Sequence, residues 1–177
     1  MSNLHKWDRW YEGLDPMDPQ PYGDVTTYHL AADWLEGLEV EDWGCGKGYF
    51  RTLIHEGLYR GLDGSETPFA DDVVDLCSYV SDVQGVMLRH VLEHNDRWQL
   101  VLKNALDSAT WRLVIILFTP MAEQTHEITR TEELDVPDLS FSHDELMLYF
   151  NDFEVRWEDL TTNTQYGTER IYYLERT

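Results

Sequence analysis

A chain of 177 residues, 42% of them hydrophobic and 13% aromatic, is long enough to fold as one domain around its own core, and this composition excludes a disordered protein. Its 34 Asp and Glu against 13 Lys and Arg give a formal net charge of -21, which repels nucleic-acid phosphates and anionic lipid headgroups. We therefore expect a globular protein that binds neither nucleic acid nor membranes. The acidity favours solubility and also suits a cationic or neutral substrate or a basic protein partner.

Two cysteines, Cys45 and Cys77, are too few for a disulfide framework or a structural zinc site, which is typical of a reducing cytosolic environment. The longest purely apolar run, from Leu113 to Phe118, is far too short to span a membrane. The N-terminal sequence MSNLHKWDRW lacks the apolar core of a signal peptide. We expect a soluble, cytoplasmic protein that is a monomer or a homodimer.

The first 25 residues are rich in aromatic residues and turn formers. Trp7, Trp10 and Tyr11 are followed by DPMDPQPYGD, whose three prolines disfavour a continuous helix and indicate a cap laid over another part of the molecule. Residues 24–37 then place apolar side chains at helical spacing and end at Gly37, which predicts the first helix.

Strands and helices alternate in the segment that follows. Apolar and β-branched runs predict strands at 38–43, 58–62, VVDLC (73–77), GVMLRHV (85–91) and RLVIILF (112–118). Helical spacing and capping residues predict helices at 49–56, 65–72 and 95–109.

The C-terminal part adds a helix and two strands. Residues 119–140 form a long connection that we interpret as a lid loop, closing over a site together with the aromatic residues of the N-terminal cap. The capping box S-H-D-E at Ser142 predicts the last helix, and FEVRWEDLT and ERIYYLERT predict a hairpin. The prediction is a single α/β domain with a three-layer, doubly wound, Rossmann-like sheet, mostly parallel, with an antiparallel C-terminal edge hairpin.

The stretch DWGCGKG, residues 42–48, places three glycines directly after the first predicted strand. In a doubly wound sheet this turn borders the ligand crevice, where glycines let the backbone bend tightly and let a ligand lie against main-chain amides. A dinucleotide-binding turn is disfavoured because Tyr49 stands where a small residue is needed, and no phosphate-binding G-x-x-x-x-G-K-[ST] sequence is present.

Asp63 ends the second predicted strand, 19 positions after Gly44. A carboxylate at that place can accept hydrogen bonds from two ribose hydroxyls, and its charge disfavours a 2'-phosphate. The sequence Asp63-Gly64-Ser65 also has the composition of a plain turn followed by a helix N-cap. Both interpretations stay open at this point.

The order VEDWGCGKG, YRGLDGS, VVDL and VMLRHVLEH resembles the motifs of class I S-adenosylmethionine-dependent methyltransferases, and the order of elements agrees from about residue 25 onward. The resemblance implies a transferase that uses S-adenosyl-L-methionine, releases S-adenosyl-L-homocysteine and methylates a hydroxyl or amine of a small molecule such as a sugar or metabolite. The chain departs from many relatives at Gln84 and Gly85, where they have an acid entering the fourth strand.

The resemblance also implies which residues bind the cofactor. Asp42 and the glycine loop would hold the methionine moiety, Asp63 the ribose, and Asp75 with Leu76 the adenine. Arg89 and His90 would lie near the amino-acid end and the sulfonium. The implied cofactor-binding residues are Asp42, Trp43, Gly44, Cys45, Gly46, Gly48, Asp63, Gly64, Ser65, Asp75, Leu76, Arg89 and His90.

Methyl transfer to a hydroxyl benefits from a general base. His90 and His94, four positions apart after the fourth strand, are the candidate catalytic residues, and His126 is a further one in the following connection. His94 is equally suited to orienting the start of a helix. A metal site formed by His90, Glu93 and His94 is disfavoured, because the spacing is not H-E-x-x-H and a third ligand is not identified, so we expect no metal.

The absence of two motifs restricts the class of molecule that can be the methyl acceptor. No [DNS]-P-P-[YF] sequence follows the fourth strand, as methylation of a base amine would require, and no cysteine stands there for chemistry at a base C5. A protein or nucleic-acid methyltransferase is therefore disfavoured against a small-molecule enzyme. The rival functions are a non-catalytic methyltransferase-like binding or regulatory domain and, disfavoured by Tyr49, a nicotinamide oxidoreductase.

Overall fold

The computed structural model describes residues 3–177. The strands of this part of the chain are β1 (Val40–Trp43), β2 (Tyr59–Asp63), β3 (Asp72–Val73), β4 (Val83–Arg89), β5 (Ala109–Leu117), β6 (His126–Thr131), β7 (Val136–Ser140), β8 (Phe153–Thr161) and β9 (Thr168–Arg176). The α-helices are α1 (Asp8–Tyr11), α2 (Thr26–Trp34), α3 (Trp98–Ser108) and α4 (His143–Met147). None of these helices combines the length and apolar character needed to cross a lipid bilayer.

The central sheet has seven strands in the order β3-β2-β1-β4-β5-β9-β8. The first five strands in this order pair in parallel, whereas β9 lies antiparallel between β5 and β8. The predicted doubly wound sheet with an antiparallel C-terminal hairpin is therefore confirmed, with β8 at the edge. The order reverses between β1 and β4, which creates a crevice at the carboxyl ends of these strands.

Helices cover both faces of the sheet. Successive residues of the central strands point to opposite faces, so each strand presents apolar side chains to the helices on both sides. On one face, Ala31 of α2 belongs to the cluster that contains Met87 and Val114. On the other face, Leu102 of α3 belongs to the cluster that contains Leu88, and α4 packs into the same cluster. The apolar part of β5, residues 113–117, is thus buried on both sides, as its sequence predicted.

The helix predicted over residues 49–56 is wrong. The segment forms only two short 3₁₀ turns, Tyr49–Thr52 and Glu56–Leu58. His55 between them has an extended ψ of 130°, and its ring accepts a hydrogen bond from Gly57 N, which ends the first turn and starts the second.

The helix predicted over residues 65–72 is also wrong, and β3 is shorter than predicted. Ser65 Oγ accepts a hydrogen bond from Trp7 N and does not cap a helix, while Thr67 Oγ1 donates to Gly46 O. Beyond β3, the Asp75 carboxylate accepts from Cys77 N at 3.0 Å and turns the chain away from the sheet.

The connection at residues 119–140 contains more regular structure than predicted. Instead of an open loop, β6 and β7 form a separate two-stranded antiparallel sheet. All five residues of β7 are buried, whereas β6 is mostly exposed. The strand was missed because Pro137 lies inside it, and proline argues against a strand in a sequence pattern.

Candidate active site

A cavity of about 700 Å³ lies at the carboxyl ends of β1, β2 and β4. Asp42 near the end of β1, Asp63 at the end of β2 and Arg89 at the end of β4 line it. Its other walls come from the N-terminal strap (residues 3–25), the β6-β7 hairpin and the turn between β8 and β9. The cavity therefore occupies the crevice at the reversal of strand order, where doubly wound sheets bind ligands.

Most residues predicted from the sequence line this cavity. They are Asp42, Gly44, Cys45, Asp63, Gly64, Asp75, Leu76, Arg89, His90 and His94. Four others, Trp43, Gly46, Gly48 and Ser65, are not among the lining residues. Trp43 is fully buried in the core, where its Nε1 donates to Glu41 Oε2 at 3.0 Å. His126 lies exposed on β6, outside the cavity lining.

The glycine turn bends as predicted, and its glycines are needed for packing within the protein. Gly44 and Gly48 have φ of +78° and +72°, in the left-handed region that favours glycine. A Cβ on Gly44 would lie 2.5 Å from Val91 Cγ2, and one on Gly48 would lie 2.4 Å from the Phe69 ring. A side chain at either position would therefore collide with its neighbour.

The amides of the three residues that begin this turn, Gly44, Cys45 and Gly46, are already paired. Gly44 N and Cys45 N donate to Leu62 O at 2.7 and 3.0 Å, and Gly46 N donates to Asp63 Oδ2 at 3.0 Å. The structure therefore does not meet the expectation that these amides are open to a ligand.

Asp63 retains acceptor capacity although it is only 4% exposed. Its Oδ2 accepts from Gly46 N at 3.0 Å and its Oδ1 from Ser65 N at 2.9 Å, and Gly64 N is a further backbone donor to the carboxylate. A carboxylate has about four lone-pair sites, so Asp63 can still accept from a ligand. Burial raises the pKa of Asp63 to about 6, although the backbone hydrogen bonds oppose this shift. Since no helix begins at Ser65, the interpretation of this stretch as an N-cap is wrong.

Asp42 is a second buried acid beside the turn. Burial, and to a smaller extent the charge of Asp63, raise the pKa of Asp42 to about 7, although the hydrogen bond that Tyr59 OH donates to Oδ2 at 2.8 Å opposes the shift. A cation bound between these two carboxyl groups favours their ionised forms. This side of the cavity is thus suited to a ligand with a positive charge.

Arg89 is buried and uses its donors within the protein. The guanidinium donates to Glu169 Oε1 at 2.7 Å, to Tyr22 O at 3.0 Å and to Thr27 Oγ1 at 3.2 Å. It also lies 3.9 Å from the centroid of the Tyr28 ring. The charge of Arg89 is therefore balanced by Glu169 and is not free to hold an anionic group.

His90 lies in the same network. Its Nε2 is 2.7 Å from Glu169 Oε1, and its Nδ1 is 3.4 Å from Arg89 Nη1. Because a guanidinium only donates, Nδ1 accepts and Nε2 carries the proton that is shared with Glu169. Burial and the charge of Arg89 hold the pKa of His90 well below its usual value. Both ring nitrogens are engaged, which leaves neither of them to take a proton from a substrate.

His94 differs from His90 because one of its ring nitrogens is free. Nδ1 lies 3.0 Å from Pro137 O and 3.2 Å from Asp138 Oδ1, and since a carbonyl only accepts, Nδ1 carries the proton. Nε2 then has a lone pair and makes no hydrogen bond to any residue between 3 and 177. Burial lowers the pKa of His94, but the hydrogen bond to Asp138 and the charge of Glu93 outweigh it and raise the pKa.

The N-terminal strap joins two sides of the cavity. Trp7 N donates to Ser65 Oγ at 2.8 Å, and the Trp7 ring meets the His94 ring at a centroid distance of 5.2 Å. The aromatic residues that the sequence suggested as a closing cap, Trp7, Trp10, Tyr11 and Tyr22, all line the cavity.

The connection at 119–140 was expected to close over the site and does contribute to its lining, but several residues around the cavity were not predicted individually. Phe118, Asp138, Glu169 and the β8-β9 turn at 163–165 were not singled out, although all except Glu169 line the cavity. Glu169 is the one for which a signal existed, because it is an acid at the start of a strand whose next residues are mostly apolar.

The side chains weighed as a metal site do not converge. His90 Nε2 faces Glu169, His94 Nδ1 faces Asp138, and Glu93 Oε1 accepts from Phe118 N at 2.7 Å. Between residues 3 and 177, no group of three or more His, Cys, Asp or Glu side chains is arranged to hold a metal ion.

No protein-family model and no curated protein sequence matches this chain significantly, but solved structures do. The 1,6-didemethyltoxoflavin-N1-methyltransferase of Burkholderia thailandensis, with bound 1,6-didemethyltoxoflavin and S-adenosylhomocysteine, is similar with a TM-score of 0.69 at 14% identity, over 87% of this chain and 80% of that one. The magnesium protoporphyrin IX methyltransferase of Synechocystis PCC 6803 with bound S-adenosylmethionine has a TM-score of 0.65 at 17% identity, over 99% and 93%.

A third similar structure shows that the fold hosts more than one reaction. The [4+2]-cyclase SpnF has a TM-score of 0.62 at 13% identity, over 90% of this chain and 85% of that one. Likeness at this level of identity establishes the architecture, whereas the reaction depends on the site. The chain has the fold of the class I S-adenosylmethionine-dependent methyltransferases.

Proposed function

We propose that this protein is an S-adenosylmethionine-dependent methyltransferase that moves a methyl group to a hydroxyl or amine of a small molecule. The observation that carries the proposal is Asp63, a buried carboxylate with free lone pairs at the end of β2, facing a cavity at the switch point of the sheet. Solved structures with a similar fold contain bound S-adenosylmethionine or S-adenosylhomocysteine, which supports this choice of cofactor.

We divide the cavity into two halves. The cofactor half follows β1, β2 and β3 and is lined by Asp42, Asp63, Asp75 and Leu76. The acceptor half follows β4 and β5, with walls from the β6-β7 hairpin and the β8-β9 turn, and is lined by His94, Phe118, Asp138, Thr131 and Gln165.

The residues of the cofactor half suit an adenosyl amino acid. Asp63 would accept hydrogen bonds from the ribose hydroxyls, Asp75 with the apolar Leu76 would border the adenine, and Asp42 would face the positive charge of the methionine moiety. A cavity of about 700 Å³ is within the range of small-molecule sites. Arg89 supports this half indirectly, because its bonds to Tyr22 O and Asp24 O hold the strap in place.

The chemistry left to the protein is positioning and proton removal. When bound, S-adenosylmethionine supplies an already activated methyl group, and the electron pair of the broken carbon–sulfur bond stays on sulfur. The protein must align the acceptor with that methyl and exclude water. Nε2 of His94 would take the proton of an acceptor hydroxyl, and Asp138 would stabilise the resulting imidazolium.

Ligand binding tests the proposal directly. We expect S-adenosylmethionine and S-adenosylhomocysteine to raise the melting temperature, because a ligand bound only by the native state stabilises it, and NAD to leave it unchanged. Isothermal titration calorimetry then gives both affinities. Stabilisation by NAD alone, or by none of the three compounds, contradicts the proposal.

A second function, a methyltransferase-like binding domain without transfer, is favoured by one observation. The Tyr22 ring lies over Gly46, 2.9 Å from where a Cβ would stand, so the strap occupies space above the glycine turn. A protein that binds S-adenosylmethionine but releases no S-adenosylhomocysteine with any acceptor from a broad panel, measured with labelled donor, would have this second function.

A further inference from the structure

The acceptor half of the cavity contains a cluster of aromatic rings around His94. The His94 ring meets Trp7 at a centroid distance of 5.2 Å and an interplanar angle of 60°, and it meets Phe118 at 5.4 Å and 42°. Phe118 packs in turn on Tyr166 at 5.6 Å. Aromatic rings attract one another in tilted and edge-to-face geometries at these distances.

A flat ring placed beside His94 extends this cluster. Trp7 and Phe118 both line the cavity, so each offers ring surface to a ligand. The His94 ring contacts both of these rings and lines the same cavity, and its Nε2 has no hydrogen-bond partner between residues 3 and 177. A flat ligand that packs on these rings could therefore present a hydroxyl to Nε2. A saturated ring is puckered and has no π-system, so it would lose the additional attraction that aromatic pairs gain beyond buried area.

The charges of the lining residues exclude anionic acceptors. Arg89 is the one Lys or Arg side chain among the described lining residues, and it is 3% exposed and paired with Glu169. Lys6 at the nearby strap is paired with Asp135 at 3.4 Å. Four aspartates line the same cavity, namely Asp42, Asp63, Asp75 and Asp138. Among the described lining residues, a carboxylate or phosphate on the acceptor would find no lysine or arginine free to pair with it, and in the acceptor half it would face the carboxylate of Asp138.

Uncharged polar groups complete the acceptor half. Thr129 and Thr131 of the hairpin and Asn163, Thr164 and Gln165 of the β8-β9 turn line it. Hydroxyl and amide groups of this kind orient neutral substituents by hydrogen bonding without requiring a charge.

We propose that the methyl acceptor is a flat aromatic hydroxyl compound that carries no negative charge. This inference rests on the proposed methyltransferase function and names its substrate class. The acceptor hydroxyl points to Nε2 of His94, its ring lies against Trp7 and Phe118, and its other substituents are neutral or cationic.

Three probes of similar size test the inference by calorimetry, with and without S-adenosylhomocysteine. They are 2-naphthol, which is flat and neutral, 6-hydroxy-2-naphthoate, which adds a carboxylate, and decahydro-2-naphthol, which has the same skeleton without aromaticity. We expect 2-naphthol to bind about tenfold more tightly than either of the other two, or better. Absence of 2-naphthol binding, or equal binding of either comparator, overturns the proposal.

A matched pair of variants tests the charge argument separately. Thr131→Lys places a cation in the exposed wall of the acceptor half, and Thr131→Gln adds a neutral side chain of comparable reach. We expect Thr131→Lys, and not Thr131→Gln, to raise the affinity for 6-hydroxy-2-naphthoate relative to 2-naphthol. An unchanged ratio in a Thr131→Lys protein with a native circular dichroism spectrum overturns the exclusion of anions.

The same titrations separate the two proposals. If S-adenosylhomocysteine binds and the three probes do not differ, the acceptor class is wrong while the methyltransferase function stands. If S-adenosylhomocysteine does not bind, the proposed function fails, and the probe series without it still decides which ligand chemistry the acceptor half prefers.

Discussion

The two halves of the cavity are built in different ways. The cofactor half stands on neighbouring parallel strands, where Asp42 in β1 is in register with Gly61 in β2, two residues before Asp63. The acceptor half combines four separate segments, which contribute His94, Phe118, Asp138 and Gln165. Strand ends hold side chains rigidly in a shared frame, whereas loops and hairpins vary independently of the frame. The proposed cofactor half is thus formed by strand ends that belong to the common architecture, whereas the proposed acceptor half is formed by segments added to it.

The largest effect is expected in the acceptor half, from His94→Gln. Loss of the base should lower kcat about 10²- to 10⁴-fold while the affinity for S-adenosylmethionine stays within error, because His94 belongs to the acceptor half alone. His126→Gln on the exposed β6 is the matched control. A kcat that changes no more than in this control would remove His94 from the mechanism.

Glu169→Ala tests the buried network that underlies both halves. Removing Glu169 leaves Arg89 without its counter-charge, and breaking a buried ion pair from one side costs about 3–5 kcal/mol of unfolding free energy. Urea denaturation, compared with Glu154→Ala on the exposed edge strand β8, measures the change. A decrease of less than about 1 kcal/mol in the free energy of unfolding would mean that Arg89 is solvated and available to a ligand.

Asp63→Ala should weaken ligand binding in the cofactor half and leave binding in the acceptor half unchanged. The lost hydrogen bonds to a charged acceptor predict about a 100-fold weaker affinity for S-adenosylhomocysteine. The affinity for 2-naphthol without cofactor should remain unchanged, because Asp63 lies in the other half. Asp82→Ala, an exposed acid before β4, is the control in calorimetry, and equal weakening of both ligands would show that the two halves are not independent.

The smallest effect is expected from Asp138→Asn. Asp138 raises the pKa of His94, so its removal lowers that pKa. The neutral form of His94 is the base, and activity rises with pH through its pKa, so the acid limb of the kcat/KM profile should move to lower pH. The plateau rate should fall about tenfold, because the ring loses an orienting partner. A limb that stays in place would show that another group titrates.

The cofactor half was largely predictable from the sequence because its signals are local. Asp42, Gly44 and Asp63 each stand at the end of a short apolar run. A glycine or an acid directly after a predicted strand lies at the carboxyl end of that strand, where doubly wound sheets bind ligands, so its place in the site can be predicted from the sequence. The use of the glycine amides was not predictable, because their pairing with Leu62 O and Asp63 depends on how two strands meet.

The acceptor half was not predictable because its contacts are distant in sequence. His94 and Asp138 meet only after β7 folds back, and β7 itself was hidden by Pro137. The ion pair between Arg89 and Glu169 was not predictable for the same reason, since Arg89 ends β4 and Glu169 lies in β9, 80 residues further along the chain. Side-chain periodicity carries no information about such pairs.

The N-terminal strap is fastened to the cofactor half by hydrogen bonds from its backbone. His5 N donates to Gly64 O at 2.7 Å, Trp7 N to Ser65 Oγ at 2.8 Å, and Gln20 N to Lys47 O at 3.1 Å. A compound seated between strap and sheet contacts both, so occupancy and strap order are reciprocally linked. Amide hydrogens of the strap should therefore exchange with deuterium more slowly in the occupied protein, and a change that loosens the strap should weaken the affinity for the compound beneath it.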